Sequence, residues 1–291
     1  MITIVTTPRP FTGHYEIIQR NAIRSWLALS PKCEIILIGN DEGTADIASE
    51  FGIKHVPDVA CSESGLPLMN SFLEIAQNTG ASDIIVWLSS DIILMNDFLP
   101  AIESITETSF LMSAQRWDLD VVEEIKFTND DWEVQLRDRL KEYGNLHAPT
   151  SGDLLVFPRG FWTDVPPFII GRAVHDNWLF YRTLSLGAPI IDATPVITIV
   201  HQNHGYSSVG WDWRKPEAIK HPEFLINLEL AGGYKHAFTL QDATLVLTPK
   251  GLKRPRMTMQ RIIRRVYTLQ ALHPRLSPIF GLMESILSRL R

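Results

Sequence analysis

Apolar and polar positions follow two rhythms along the first hundred residues. Ile2–Thr6 is an apolar run of strand length, and Ile17 to Leu29 carries Ile18, Ala22, Trp26 and Leu29 at helical spacing. Glu34–Ile38 is a second short apolar run, closed by Gly39-Asn40-Asp41-Glu42-Gly43. A helical pattern at Thr44–Phe51, a short strand at Lys54–Val56, a helix at Leu68–Asn78 and a strand at Ile84–Leu88 follow. Continuous apolar runs of this length suit strands buried on both faces, and strands separated by helices fold as βαβ units around a parallel sheet. Ligands of such sheets lie beyond the strands' carboxyl ends, where the polar clusters of this chain fall.

The second half is less regular. Phe110–Ala114, Gly152–Phe157, Pro189–Ile191 and Val196–Val200 read as strands and Trp132–Tyr143 as a charged surface helix. His175-Asp176-Asn177-Trp178 opens a helix that runs to Leu186 and stops at Gly187. The polar group His201-Gln202-Asn203-His204 follows directly on an apolar strand.

One acid breaks this pattern conspicuously. Within Ile84-Ile85-Val86-Trp87-Leu88-Ser89-Ser90-Asp91-Ile92-Ile93-Leu94, Asp91 interrupts an otherwise apolar stretch. A carboxylate in such surroundings is paired, bound to a cation or turned into a cap, so Asp91 is either a metal or ligand contact or a turn residue.

Composition bounds the chain to a conventional globule. Its 291 residues with 45% hydrophobic content suffice for one large α/β domain or two smaller ones. The net charge of -6 hides an asymmetry: residues 250–291 hold ten Lys and Arg against the single acid Glu284, leaving the body at -15 and the tail at +9. An acidic body argues against nucleic-acid binding, which needs clustered positive charge. Cys33 and Cys61 have neither disulfide nor zinc spacing and read as small hydrophobes of a reducing compartment. With no basic leader and no long apolar segment, a cytoplasmic location is the expectation.

The order of Ile2–Thr7, Gly39-Asn40-Asp41-Glu42, Ser89-Ser90-Asp91, His175-Asp176-Asn177-Trp178 and His201-Gln202-Asn203-His204 resembles that of GT-A-type glycosyltransferases, the nucleotide-diphospho-sugar transferase superfamily. The resemblance implies a Rossmann-type, mostly parallel α/β sheet flanked by helices over residues 1–249, with a basic helical extension over 250–291. It implies that Thr6, Thr7 and Pro8 border a nucleotide and that Asp41 or Glu42 sits near the base or ribose. Asp91 would match the last acid of the family's DxD motif, which binds a divalent cation, Mn²⁺ or Mg²⁺, on the diphosphate. Ser89 stands where the first acid is expected, with Ser90 between. His201 or His204 would match a further metal ligand, and Asp176 the general base.

The chemistry of the residues agrees with these roles. Sugar transfer from a nucleotide diphosphate must stabilise the departing diphosphate while an acceptor hydroxyl loses its proton, tasks suited to a hard cation and a positioned carboxylate. Asn70, at a helix opening, is a further candidate donor contact, with a helix-surface amide as its alternative. Asp153 after Ser151-Gly152, and Trp211 and Trp213 in a polar loop, are candidate acceptor contacts. Met257 to Leu272 has apolar residues close to helical spacing with Arg261, Arg264 and Arg265 between them, which reads either as an anionic-membrane docking helix or as a helix packed on the body. Two other classes compete. A nucleotidyltransferase would want a glycine-rich basic loop where Thr7-Pro8-Arg9-Pro10 stands, and a non-catalytic sugar- or membrane-binding protein would leave Asp91, Asp176 and His201 without purpose.

Overall fold

The computed structural model describes residues 1–129, 131–205, 212 and 215–276. Trp211 and Trp213, and the basic stretch from residue 277 onward, lie outside them.

The amino-terminal half forms as the pattern predicts. Strands β1 (Ile2–Thr6), β2 (Glu34–Ile38), β3 (Lys54–Val56) and β4 (Ile84–Leu88) alternate with helices α1 (Gly13–Leu27), α2 (Thr44–Phe51) and α3 (Met69–Thr79). β1 pairs in parallel with both β2 and β4, and β2 with β3, so their carboxyl ends share one edge of the sheet. Core residues of these strands, such as Ile4, Val86 and Leu88, are fully buried, as strands covered on both faces require.

After β4 the chain leaves the sheet at Ser89 and Ser90 and enters β5 (Ile92–Leu94), so Asp91 stands at the junction between two sheets. Helix α4 (Phe98–Glu103) leads to β6 (Leu111–Ser113) and β7 (Arg116–Leu119), followed by α5 (Trp132–Tyr143), β8 (Asn145–Leu146) and β9 (Leu154–Pro158). Next come α6 (His175–Ser185), β10 (Ile190–Asp192), β11 (Ile199–Gln202), α7 (Pro222–Leu230), a hairpin of β12 (Leu245–Thr248) and β13 (Gly251–Lys253), and α8 (Met259–Leu272). The central nine-stranded sheet runs β13-β12-β10-β6-β9-β4-β1-β2-β3 and the smaller one β5-β11-β7-β8.

Differences from the predicted elements have local causes. β9 runs antiparallel to β4 and β6, which brings its amino end, with Gly152 and Asp153, to the carboxyl edge of the parallel strands. The strand expected at Val196–Val200 begins at Ile199 and extends through His201 and Gln202, because both pair in register with β7. The β12–β13 hairpin joins residues 248 and 251, placing β13 on the edge of the central sheet. α8 then packs over α6 and the short 3₁₀ turns at Tyr234–His236 and Leu240–Asp242. Among the described residues, no helix is long and apolar enough to cross a membrane.

Candidate metal centre and cleft

Strand register assembles the site. β11 lies between β5 and β7, and His201 is paired with Ile92 on one side and Asp118 on the other. Directly paired residues present their side chains on the same face, so His201 and Asp118 meet. His201 Nδ1 lies 3.0 Å from Asp118 Oδ1, and its Nε2 lies 3.7 Å from Asp91 Oδ2. His204 places its Nε2 2.9 Å from the same Asp91 oxygen. One ligand atom from each of Asp91, His201 and His204 falls within 4.8 Å of the others. Gln202, on the opposite face and fully buried, donates to the carbonyls of Ile18 and Asp91 and accepts from Asn21, which fixes the main chain of Asp91 against α1.

The donor set fits a divalent cation on grounds of satisfaction as well as proximity. Asp91 Oδ1 is buried and has no hydrogen-bond partner among the described residues, a costly state for a carboxylate oxygen unless a ligand supplies the partner. With one carboxylate and two imidazoles, the set suits Mn²⁺ better than Mg²⁺, because Mn²⁺ tolerates nitrogen ligands better. Burial alone would raise the Asp91 carboxyl, but the imidazoles of His201 and His204, helped by Arg116, hold it well below the usual carboxylate range. Burial opposes the charged form of His201, while Asp91 and Asp118 raise its pKa.

A cleft of about 420 Å³ opens beyond the sheet edge. Thr6, Thr7, Pro8, Asp41, Ser89, Ser90, Asp91, Asp153 and Asp176 all line it. Thr6 is buried, its hydroxyl without a partner among the described residues, and Ser89 donates its backbone N–H to the Asp153 carbonyl at 2.9 Å. Glu42 and Asn70 are exposed and stand outside this lining. Asp176, in the first turn of α6, accepts a hydrogen bond from the Gly152 N–H at 2.8 Å. Arg9 borders the cleft, whereas Arg20 is engaged by Glu16 and Glu50.

Several residues of the site, Arg116, His147 and Asn227 among them, carried no signal in the sequence. Arg116, 7% exposed, donates to Asp118 and to Asp153 Oδ1, the latter at 2.7 Å. His147, on the cleft wall, places Nδ1 2.8 Å from Asp118 Oδ2. Arg172 lines the cleft and pairs with Glu223 of α7 at 2.7 Å. Asn227, fully buried in α7, accepts from the Ile169 N–H and donates to the carbonyls of Ile169, Arg172 and Ala173. That grip holds the loop ending at Val174, whose φ of 85° is unusual for a β-branched residue and which launches α6 with Asp176. A charged strand such as Arg116–Leu119 resembles a loop in sequence, so only its register with β11 exposes its role.

No family model and no curated protein matches the chain. Among solved structures it superposes on GalNAc-T7 in complex with UDP, GalNAc and Mn²⁺ with a TM-score of 0.51 and 13% identity, covering 80% of this chain and 48% of that one. The chain thus spans about half the length of GalNAc-T7. It also aligns with glucosyl-3-phosphoglycerate synthase from Mycobacterium tuberculosis in complex with Mg²⁺ and UDP, at TM-score 0.48 and 17% identity over 80% of each chain. A third match is S. aureus TarS 1-349 in complex with UDP-GlcNAc, at TM-score 0.49 and 13% identity over 79% of this chain and 65% of that one. The superposition on GalNAc-T7 and the topology above define the fold: the chain has the GT-A fold.

Proposed function

We propose that this chain is a metal-dependent glycosyltransferase that moves a sugar from a nucleotide-diphosphate donor to an acceptor hydroxyl. The observation that carries the reading is the convergence of Asp91, His201 and His204, with an unpartnered Asp91 oxygen, at the ligand-binding edge of a GT-A sheet. Asp91, His201 and His204 would hold Mn²⁺ or Mg²⁺, which when bound neutralises charge on the departing diphosphate. Thr6, Thr7 and Pro8 border the donor, with Asp41 nearby, and Ser89 and Ser90 lie beside the diphosphate. Asp176, kept in place by the Gly152 N–H, accepts the proton of the acceptor hydroxyl. Asp153, fixed by Arg116 with its Oδ2 unpartnered, faces the acceptor.

A thermal-shift screen of UDP, GDP, CDP and dTDP, each with and without Mn²⁺, tests this. A ligand that binds only the native state stabilises it by about 2.7 kcal/mol at a hundred times its Kd. Stabilisation by at least one nucleotide that requires Mn²⁺ is expected; no response to any pair would remove the donor assignment.

The extension supports a second element of the reading, reversible docking on an anionic lipid surface. In α8, the half-buried Arg261 and Arg264 reach back to the carbonyls of Gln241 and Ala243 and to Asp242. Met257, Met259 and Ile262 are exposed instead, beside exposed Lys250, Lys253, Arg254, Arg256 and Arg265. An apolar row flanked by like positive charges is the chemistry of an interfacial helix.

A further inference from the structure

Asp118 has three charged or ionisable partners and belongs to none of the roles assigned above. Its Oδ1 accepts from His201 Nδ1 at 3.0 Å and from Arg116 Nε at 3.0 Å, and its Oδ2 accepts from His147 Nδ1 at 2.8 Å. Both imidazoles are therefore bound through Nδ1, leaving each Nε2 directed away from Asp118. For His201 that nitrogen is the one on the Asp91 side, at 3.7 Å. His147 belongs to the wall of the cleft. The arrangement is built by backbone register: Asp118 is paired with His201 across β7–β11 and with Asn145 across β7–β8, two residues before His147. The His147 N–H also bonds the Arg116 carbonyl at 2.9 Å and its own carbonyl accepts from Gln115, so the main chain that carries the ring is held beside Asp118.

From this geometry we infer that Asp118 is a positioning residue. It fixes the Nδ1–H tautomer of His201, so that the Nε2 lone pair is presented to a cation shared with Asp91, and it raises the basicity of that ring. A carboxylate behind a metal-binding imidazole does both, and its loss generally lowers metal affinity 10–100-fold. Through its other oxygen the same carboxylate anchors His147, tying the cleft wall to the metal centre. Arg116 completes the link by holding Asp118 and Asp153 together. The metal part of this inference rests on the proposed metal-dependent transfer; the tautomer part does not.

The experiment uses the full chain and two readouts. Nitrogen-15 NMR of the imidazoles at a pH where His201 is neutral identifies which ring nitrogen carries the proton, and Mn²⁺ binding without nucleotide is followed by electron paramagnetic resonance. The wild type is expected to carry the His201 proton on Nδ1. Mn²⁺ affinity is expected to fall 10–100-fold in Asp118→Ala and to recover in part in Asp118→Asn, which keeps an acceptor but loses the charge. A wild-type His201 protonated on Nε2 overturns the inference. So does an Asp118→Ala variant that melts within a few degrees of wild type and binds Mn²⁺ equally well. Should the wild type bind no Mn²⁺, the metal reading fails, and the tautomer measurement still decides the role of Asp118. Should the alanine variant not fold, Asp118→Asn and the wild-type tautomer carry the test.

Discussion

Gly152 and Asp176 are fitted to each other: the Gly152 N–H donates to Asp176 Oδ2 at 2.8 Å, and a Cβ on Gly152 would stand 2.8 Å from Asp176 Cβ and 3.0 Å from that oxygen. Such a separation between carbon atoms is far inside van der Waals contact, so any side chain at residue 152 must displace Asp176. If Asp176 takes the acceptor's proton, Gly152→Ala should lower turnover while leaving Mn²⁺ and nucleotide binding near wild type. Asp176→Asn should do the same more severely, since a positioned base contributes about 10²–10⁴-fold to rate. Single-turnover transfer beside calorimetric donor binding separates the two effects. Full turnover in Asp176→Asn would leave that carboxylate as a helix-end residue that holds Gly152.

Removing the charge of Asp91 should act on binding first. Asp91→Asn keeps the shape of the side chain but takes the anion from a centre otherwise made of two imidazoles. Mn²⁺-dependent nucleotide binding should be lost in calorimetry, with secondary structure retained by circular dichroism. His201→Ala and His204→Ala are expected to weaken Mn²⁺ separately, and a pair of variants with unchanged affinity would confine the metal contact to Asp91.

The pairing of Arg172 with Glu223 ties α7 to the loop before α6 and predicts a pH dependence of stability. Burial works against the Glu223 carboxylate, but the hydroxyls of Ser64 and Ser62 and the Arg172 guanidinium together pull its pKa below the ordinary 4.5. A group depressed on folding contributes stability that is fully present above its unfolded pKa and is lost as pH falls through the folded value. Wild type should therefore be more stable than Glu223→Gln at pH 7, and the gap in urea midpoint should close as the pH drops below about 4.5. A gap constant across that range would mean that the side chain contributes through packing alone.

Sequence patterning carried the parallel half of the fold because each of its elements is locally consistent. The bounds of β1, β2, α2, β3, β4 and α5 are those the periodicity predicts, since each pattern is cut off by a glycine or serine (Gly39, Gly52, Ser89, Gly144) or by a proline within two residues (Pro8, Pro57). Asp91, His201 and His204 stood out for the same reason, as polar groups at the ends of apolar strands. Arg116, Asp118 and His147 did not. They lie in or next to Arg116–Leu119 and Asn145–Leu146, strands too short to show a period, and nothing in local composition tells that His201 pairs with Asp118. Asn227 and Glu223 were silent too, because an ordinary helix surface and a helix gripping a distant loop differ only in what lies opposite. In α8 the periodicity gave the helix but not which residues face out: Arg261 and Arg264 turn to the body, and Met259 and Ile262 to solvent.

That arrangement sharpens the membrane prediction. An exposed row of Met257, Met259 and Ile262 can enter the interfacial region of a bilayer while Lys250, Lys253, Arg254, Arg256 and Arg265 remain with the headgroups. Each basic residue near an anionic surface adds about 1 kcal/mol, so several together give binding that depends on lipid charge and weakens with salt. Truncation is a poor test, because cutting near residue 248 also removes the sheet-edge strand β13 and the packed face of α8. Met259→Glu combined with Ile262→Glu changes the exposed face and leaves the inward contacts of Arg261 and Arg264 alone. The full chain should co-sediment with vesicles rich in phosphatidylserine and not with phosphatidylcholine vesicles, and the double variant should lose most of that binding at an unchanged melting temperature. Equal sedimentation of wild type and double variant with the anionic vesicles would assign α8 to packing on the catalytic body alone.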